Sequence, residues 1–227
     1  MVTADELQDL EAVQLKMRLH DTFNGVEQIE TAVTQTGVVT EDLADAVLST
    51  GIQQGSTARM NYYNALFNPL YGRLLVKLRM SSASDVFAFW GFKETLAAPT
   101  WKMTESHCGF MIYNGKLWFT TGDSGTPSAR NQVTEISSAD VTRWLIYELS
   151  VNRCRFYTLP FTVPYFEQEV EDKLAAGLVR KWSPLQANGS VTPKDEMHYL
   201  VFYVENTTGA DQEMELQFID YVEEYPD

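Results

Sequence analysis

Cysteine and histidine are scarce, positive charge is low, and the first quarter of the chain is nearly free of aromatic residues. Cys108 and Cys154 are the cysteines, and His20, His107 and His198 the histidines, of a 227-residue chain. Two cysteines do not make a disulfide-stapled scaffold, and no His or Cys pair has zinc-site spacing. Both cysteines fall on predicted strands, so buried free thiols are expected. No apolar run approaches the ~18 residues of a membrane span. The opening Met1-Val2-Thr3-Ala4-Asp5-Glu6 is acidic and polar, unlike a secretory leader. Neither secretion nor membrane insertion is expected. Lys and Arg number 17 against 31 Asp and Glu, a formal charge of −14. Phosphate backbones repel so acidic a chain, which argues against nucleic acid as a partner.

What is present is unevenly spread. Phe23 is the one aromatic residue before Thr57, although the chain holds 5 Trp, 11 Tyr and 12 Phe. Large aromatics supply much of a core's buried area. The distribution predicts an N-terminal arm over residues 1–57 and a β domain over 58–227, joined at the small-residue stretch GIQQGST.

The arm reads as helical. Thr3 and Glu6 fit a capping box, and Leu7, Leu10, Val13 and Met17 recur at three- and four-residue steps. Asn24-Gly25 suits a stop. Val26, Ile29 and Val33 suggest a second helix. Thr40 caps a third, with Leu43, Val47 and Leu48 on one face. Such short helices are marginal alone. They pack either on the protein's own β domain or on another chain. We expect the second, with Leu7, Leu10, Val13, Met17, Leu43 and Val47 as the docking stripe.

The remainder reads as β. RLLVKLRM (Arg73–Met80) alternates apolar and basic, and DVFAFWGF (Asp85–Phe92) is apolar on both faces. Asn114-Gly115 between two strands is a type I′ hairpin signal. RWLIYELSV with CRFYT, and YLVFYV with EMELQFIDYV, suggest two further hairpins. In the last strand Met214, Leu216 and Phe218 are expected on one face. Many short strands predict an antiparallel sandwich or barrel.

Residues 60–225 resemble the concanavalin A-like jelly-roll family of legume-type lectins, laminin-G-like modules and many virion proteins. The likeness lies in RLLVKLRMSSASDVFAFWGFKET, HCGFMIYNGKLWFTTG, DVTRWLIYELSVNRCRFYT and HYLVFYVENTTGADQEMELQFIDYVEEY. It implies a mainly β jelly roll behind the helical arm. It further suggests a non-enzymatic structural protein of a tailed virus: a capsid decoration or head fibre, or a tail component. Such a protein would assemble in the host cytoplasm, bind virion proteins and copies of itself, and display a lectin-like domain outward, where cell-surface glycan is a further partner. A free carbohydrate-binding lectin and a glycoside hydrolase are the alternatives.

Individual motifs carry less. Gly122-Asp123-Ser124-Gly125 is similar to a serine-protease nucleophile string, and Ser106-His107-Cys108 faintly to its histidine string. Yet the two lie on one predicted hairpin, so we read a loop and expect no triad. The family's retaining glycosidases carry E-x-D-x-x-E on one strand, and no such string occurs here. Glu167, Glu169 and Glu171 lack the central Asp. No cofactor is expected. Calcium is the one ion to consider, with Asp123 and Asp211 as turn oxygens. Asn188-Gly189-Ser190 and Asn206-Thr207-Thr208 read as turns rather than glycosylation acceptors. Trp90 and Trp144 read as core. Trp101 and Trp182, each near a proline, are the tryptophans expected to meet a glycan.

Overall fold

The computed structural model describes residues 18–23, 29–42, 45–63, 66–125, 128–133, 139–150, 153–157 and 192–223. Strands dominate these residues. They are β1 (Arg18–Asp21), β2 (Ile29–Thr34), β3 (Val38–Asp42), β4 (Asp45–Ser49), β5 (Thr57–Tyr62), β6 (Gly72–Met80) and β7 (Val86–Lys93). The rest are β8 (His107–Tyr113), β9 (Lys116–Gly122), β10 (Ala129–Gln132), β11 (Leu145–Ser150), β12 (Arg153–Tyr157), β13 (Tyr199–Asn206) and β14 (Glu213–Glu223). They form two antiparallel sheets stacked as a jelly-roll sandwich. The first runs β12-β11-β6-β14-β4-β3, with β1 also paired to β14; the second runs β10-β9-β8-β7-β13-β5-β2.

Alternation along the strands decides what each sheet buries. On β7, Val86, Ala88, Trp90 and Phe92 enter the core between the sheets, while Phe87 and Phe89 join a second cluster on the outer face. Trp90 stacks on Phe110 at 5.7 Å and meets Tyr147 of the opposite sheet edge-on at 4.9 Å. Each such ring, fully buried, contributes about 1.5–3 kcal/mol. The Asn114-Gly115 hairpin forms as expected. Both residues have positive φ, 50° and 70°, which a type I′ turn requires and Asn and Gly tolerate.

The N-terminal quarter corrects the helical reading. The segments expected as second and third helices are β2, β3 and β4. Ile29–Thr34 pairs with β5 in the second sheet, and Asp45–Ser49 with β14 in the first. Ala46 and Leu48 are fully buried while Asp45, Val47 and Ser49 are half-buried, a strand's two-residue period. Residues 31–40 (TAVTQTGVVT) are rich in β-branched side chains, which disfavour helix and favour a pleated surface. The stretch read as the latter part of an arm is thus part of the sandwich. Phe23 is fully buried, its N–H on Asp21 Oδ1 at 2.7 Å, and Tyr62 donates to Asp21 Oδ2 at 2.7 Å. Val47 pairs with Glu215 and Thr40. Leu7, Leu10, Val13, Met17 and Leu43 lie outside the described residues, as do Trp182 and Glu167, Glu169 and Glu171.

Three smaller expectations also change. β13 and β14 are not a hairpin: β13 lies between β7 and β5, β14 in the other sheet, and the connection arches between layers. Asn206, fully buried, holds that arch by accepting from the Thr208 and Gly209 N–H groups and donating to the Gly51 carbonyl. Its amide is engaged, so the sequon is a turn. A bulge between Leu216 and Phe218 shifts the β14 register, so Ile219 and Tyr221, not Phe218, continue the core face begun by Met214 and Leu216. Trp144 is half-buried rather than core, with Lys77 and Arg79 over its ring at 5.7 and 4.8 Å.

Candidate functional site

The outer face of the second sheet is where the fold leaves polar and aromatic side chains together. Cross-strand register sets its rows. Arg59, Tyr203, Phe89, Met111 and Trp118 follow one another across β5, β13, β7, β8 and β9; Thr57, Glu205 and Phe87 form the start of the next row. Gly91 and Gly109 stand opposite each other in the adjoining row. Gly91 has φ 147°, and a Cβ there would meet the Cys108 carbonyl oxygen at 2.4 Å, so only glycine fits.

Residues 94–106 join β7 to β8 and fold back over this face. Two arginines strap them down. Arg59 donates to the Leu96 carbonyl, and Arg130 on β10 to the Trp101 carbonyl. Leu96, Trp101 and Met103 pack on Phe87, Phe89, Met111, Val201 and Tyr203. Trp101 stacks on Tyr113 with centroids 4.3 Å apart and planes 15° apart. The Arg130 guanidinium lies 4.3 Å from the same indole centroid, and Trp118 meets the ring's edge at 4.9 Å. Two groups so close to one centroid must take opposite faces, so Trp101 offers a ligand its rim.

Beside Trp101 opens a cavity of about 230 Å³ lined by Phe87, Pro99, Thr100, Trp101, Tyr113, Glu205 and Thr207. Its walls are mainly apolar, with three aromatic rings, and among the described residues Glu205 is its one carboxyl group. The Tyr203 hydroxyl donates to Glu205 Oε2 at 3.0 Å, fixing that carboxylate. Burial first, and then the Glu205 charge, push the Tyr203 hydroxyl well above the ordinary tyrosine range.

The other end of the face is a closed polar network. Lys93 is fully buried and ion-paired to Glu105, which also accepts from the Thr95 hydroxyl at 2.6 Å. Burial first, and then the Arg59 charge, draw the Lys93 ammonium down to about 8, and the Glu94 charge opposes that. His107 bonds the Glu105 carbonyl through Nδ1 at 2.7 Å and Thr120 Oγ1 through Nε2 at 2.9 Å. Burial and neighbouring positive charge take it down to about 3, so it is neutral near pH 7. Ser124, at φ 68°, donates to Glu94 Oε2, and the Ser106 N–H points at both groups. The Ser124 hydroxyl and the Ser106 N–H hold the Glu94 carboxyl below its usual range.

This geometry answers the motif questions. Ser124 faces a carboxylate and His107 faces Thr120, so the two form no triad. A different serine and histidine do meet: Ser106 Oγ lies 2.7 Å from His198 Nε2, and His198 Nδ1 lies 2.6 Å from the Glu196 carbonyl. That carbonyl requires a proton on Nδ1, so Ser106 donates to Nε2. Both residues are fully buried, and Ser106 Oγ also accepts from the Lys194 N–H at 2.9 Å. The pair ties strands together and is closed to a substrate. Sequence reasoning named neither this pair nor Glu205. No local motif marks them, because sheet register alone assembles them.

A glycosidase needs a carboxylic acid held protonated beside a second carboxylate about 5–10 Å away. Glu94 and Glu105 flank the same pair of strands, but Glu94 is held ionised and Glu105 is ion-paired. Glu30 pairs with Asn61 and Glu205 with Thr57. Four residues of β5 separate those positions, about 13 Å of backbone. Asp123 Oδ1 accepts from the Gly125 N–H, and Asp211 Oδ1 from Ser49 Oγ and the Gly51 N–H. Both serve their own turns. Among the described residues no three His, Cys, Asp or Glu side chains converge on a cation position. Cys108 is a buried free thiol, its ionisation pushed far up by burial.

No protein-family profile matches the chain, and no curated protein does so by sequence. Solved structures do match in fold, and they include lectin and glucanase jelly rolls. The Bacillus licheniformis β-glucanase aligns with TM-score 0.56 and 11% identity, over 92% of this chain and 99% of that one. A pseudo β-1,3-glucanase of Mycobacterium tuberculosis, also an immunostimulatory antigen, gives 0.55 and 10%, over 91% and 98%. The exoplasmic/lumenal domain of VIP36 in its Ca²⁺-bound form gives 0.54 and 10%, over 92% and 91%. At such identities the likeness is one of fold.

Proposed function

We propose that the chain is a non-enzymatic, glycan-recognising structural module of a virus particle. The sandwich faces outward, and the cavity beside Trp101 takes one ring of a surface glycan. Virion proteins and further copies of the chain are its assembly partners, reached through the residues Leu7, Leu10, Val13, Met17, Leu43 and Val47. The observation that carries the recognition half is the cavity itself, with aromatic walls, two threonines and one fixed carboxylate on the outer face of a sheet. Such a composition suits the apolar faces and hydroxyls of a sugar. Among the described residues every other carboxylate of that face is engaged or too distant to complete a hydrolytic pair, which favours binding over cleavage. The fold occurs in lectins and in a pseudo-glucanase as well as in glucanases, so it is compatible with that choice. The virion context rests on the family resemblance of the sequence.

Three measurements test it. The intact chain should bind a glycan array saturably, and Trp101→Ala should remove that binding. Incubation with β-glucans should release no reducing ends. The chain should co-purify with virus particles in fixed stoichiometry. Hydrolysis lost on Glu94→Gln or Glu105→Gln would replace this reading with a glycosidase.

A further inference from the structure

Among the described residues the proposed glycan cavity holds one charged group, and its sign narrows the ligand. Among the described residues Glu205 has no cationic partner; its one bonded neighbour is the Tyr203 hydroxyl at Oε2. The nearby Arg130 guanidinium lies against the indole face opposite Tyr113 and is not among the lining groups. The walls Phe87, Trp101, Tyr113 and Pro99 offer a carboxylate no cation, so displacing water from the cavity leaves the Glu205 charge poorly compensated. A ligand that brings a positive nitrogen relieves this cost. One that brings only hydroxyls relieves it in part, and one that brings a carboxylate or sulfate worsens it. The chain's charge of −14 adds long-range repulsion of anions and attraction of cations.

Resting on the glycan reading, we propose that the cavity selects an amino sugar carrying a protonated amine, such as a glucosamine unit. The aromatic walls hold the sugar's C–H surface, Thr100 and Thr207 stand at the hydroxyls, and the ammonium donates to Glu205. A charge-assisted N–H···O bond is about twice as strong as a neutral one. A volume of about 230 Å³ lies below the ~300–1,000 Å³ usual for drug-sized ligands and suits a single ring rather than a branched group.

Calorimetry with oligosaccharides of one length separates the outcomes: glucosamine oligomers, their N-acetylated forms and neutral glucose oligomers, with choline chloride as a cation without a sugar. The expected result is tighter binding of the glucosamine series by about tenfold. That preference should shrink with added salt and disappear in Glu205→Gln. Thermal unfolding of the variant confirms that it folds, and Glu205→Asp, which keeps the charge but withdraws it, should retain part of the preference. Equal binding of all three sugar series, unchanged in Glu205→Gln, overturns the amine selection and leaves the glycan reading standing. Choline binding as tight as glucosamine overturns the sugar assignment. Failure of every sugar to bind the wild-type chain overturns the glycan reading, and this inference with it.

Discussion

The two ends of the second sheet's outer face are built from the same strands and end in opposite states. At the end formed by Lys93, His107 and Gly122, each polar group meets another: Lys93 meets Glu105, His107 meets Thr120, Ser124 meets Glu94 and Ser106 meets His198. At the end formed by Phe87, Tyr113 and Glu205, a carboxylate and two threonines face a cavity. Perturbed ionisation is concentrated at the first end, yet the room for a ligand is at the second. Buried, fully bonded networks shift ionisation as strongly as active sites do. A shifted group therefore marks a site only where a ligand can reach it.

The largest effect expected is at the closed end. His107 takes a proton at about 3 in the fold against 6.5 in the unfolded chain. Between those values the unfolded state binds more protons. The stability that neutral His107 represents is present above pH 6.5 and lost as pH falls towards 3, roughly 4–5 kcal/mol over the whole window. His198, also lowered chiefly by burial, adds in the same direction. Urea unfolding at pH 7 and pH 4 measures the loss, and His107→Gln should flatten it. An unchanged slope in that variant would mean the network does not depend on a neutral ring.

Next comes Glu105→Gln. It leaves the fully buried Lys93 ammonium without its counter-charge, and breaking such a pair costs about 3 kcal/mol. The folded Lys93 releases its proton near 8 rather than 10.5, so stability rises with pH between those values. In the variant that rise should begin at lower pH. Loss of less than 1 kcal/mol at pH 7, read from urea midpoints, would show that the lysine reaches water instead.

The open end should respond differently. Trp101→Ala removes the Tyr113 stack and the seat of the Arg130 guanidinium, for about 2 kcal/mol of stability, but should abolish glycan binding altogether. If binding survives, the ligand sits elsewhere and the contrast between the ends fails.

Legibility in the sequence follows the range of the interactions. The Asn114-Gly115 turn is local, and the residues alone reveal it. Trp90 in the core was legible from its apolar run, and Trp101 as a loop tryptophan from Pro99. The N-terminal strands were not, because Val26, Ile29 and Val33 fit a helical step as well as a strand; the β-branched run through residues 31–40 was the available signal. β13 and β14 looked like a hairpin because a strand pair in one sheet and a pair facing across two sheets share the same alternation. Glu205 carries no motif at all. It becomes part of a site only because β13 pairs with β7 and sets it opposite Phe87, and because residues 94–106 return to cover the same row.

The finest test lies in the strap itself. Arg130 both donates to the Trp101 carbonyl and holds its guanidinium over the indole, 4.3 Å from the ring centroid. A lysine cannot do both, since its ammonium is a point donor on a flexible stem. Arg130→Lys should therefore keep the net charge and the fold while loosening the strap at one anchor. The stability cost should be about 1 kcal/mol, comparable to one partly exposed cation–π contact with its hydrogen bond. Glycan affinity should fall severalfold, because Trp101 then loses the guanidinium and keeps only its aromatic neighbours Tyr113 and Trp118. Arg59→Lys, which loosens the Leu96 anchor farther from the cavity, should cost similar stability with a smaller loss of affinity. Equal losses of affinity in the two variants would mean that residues 94–106 move as one body and that the cavity owes its shape to the whole strap rather than to the Arg130 anchor.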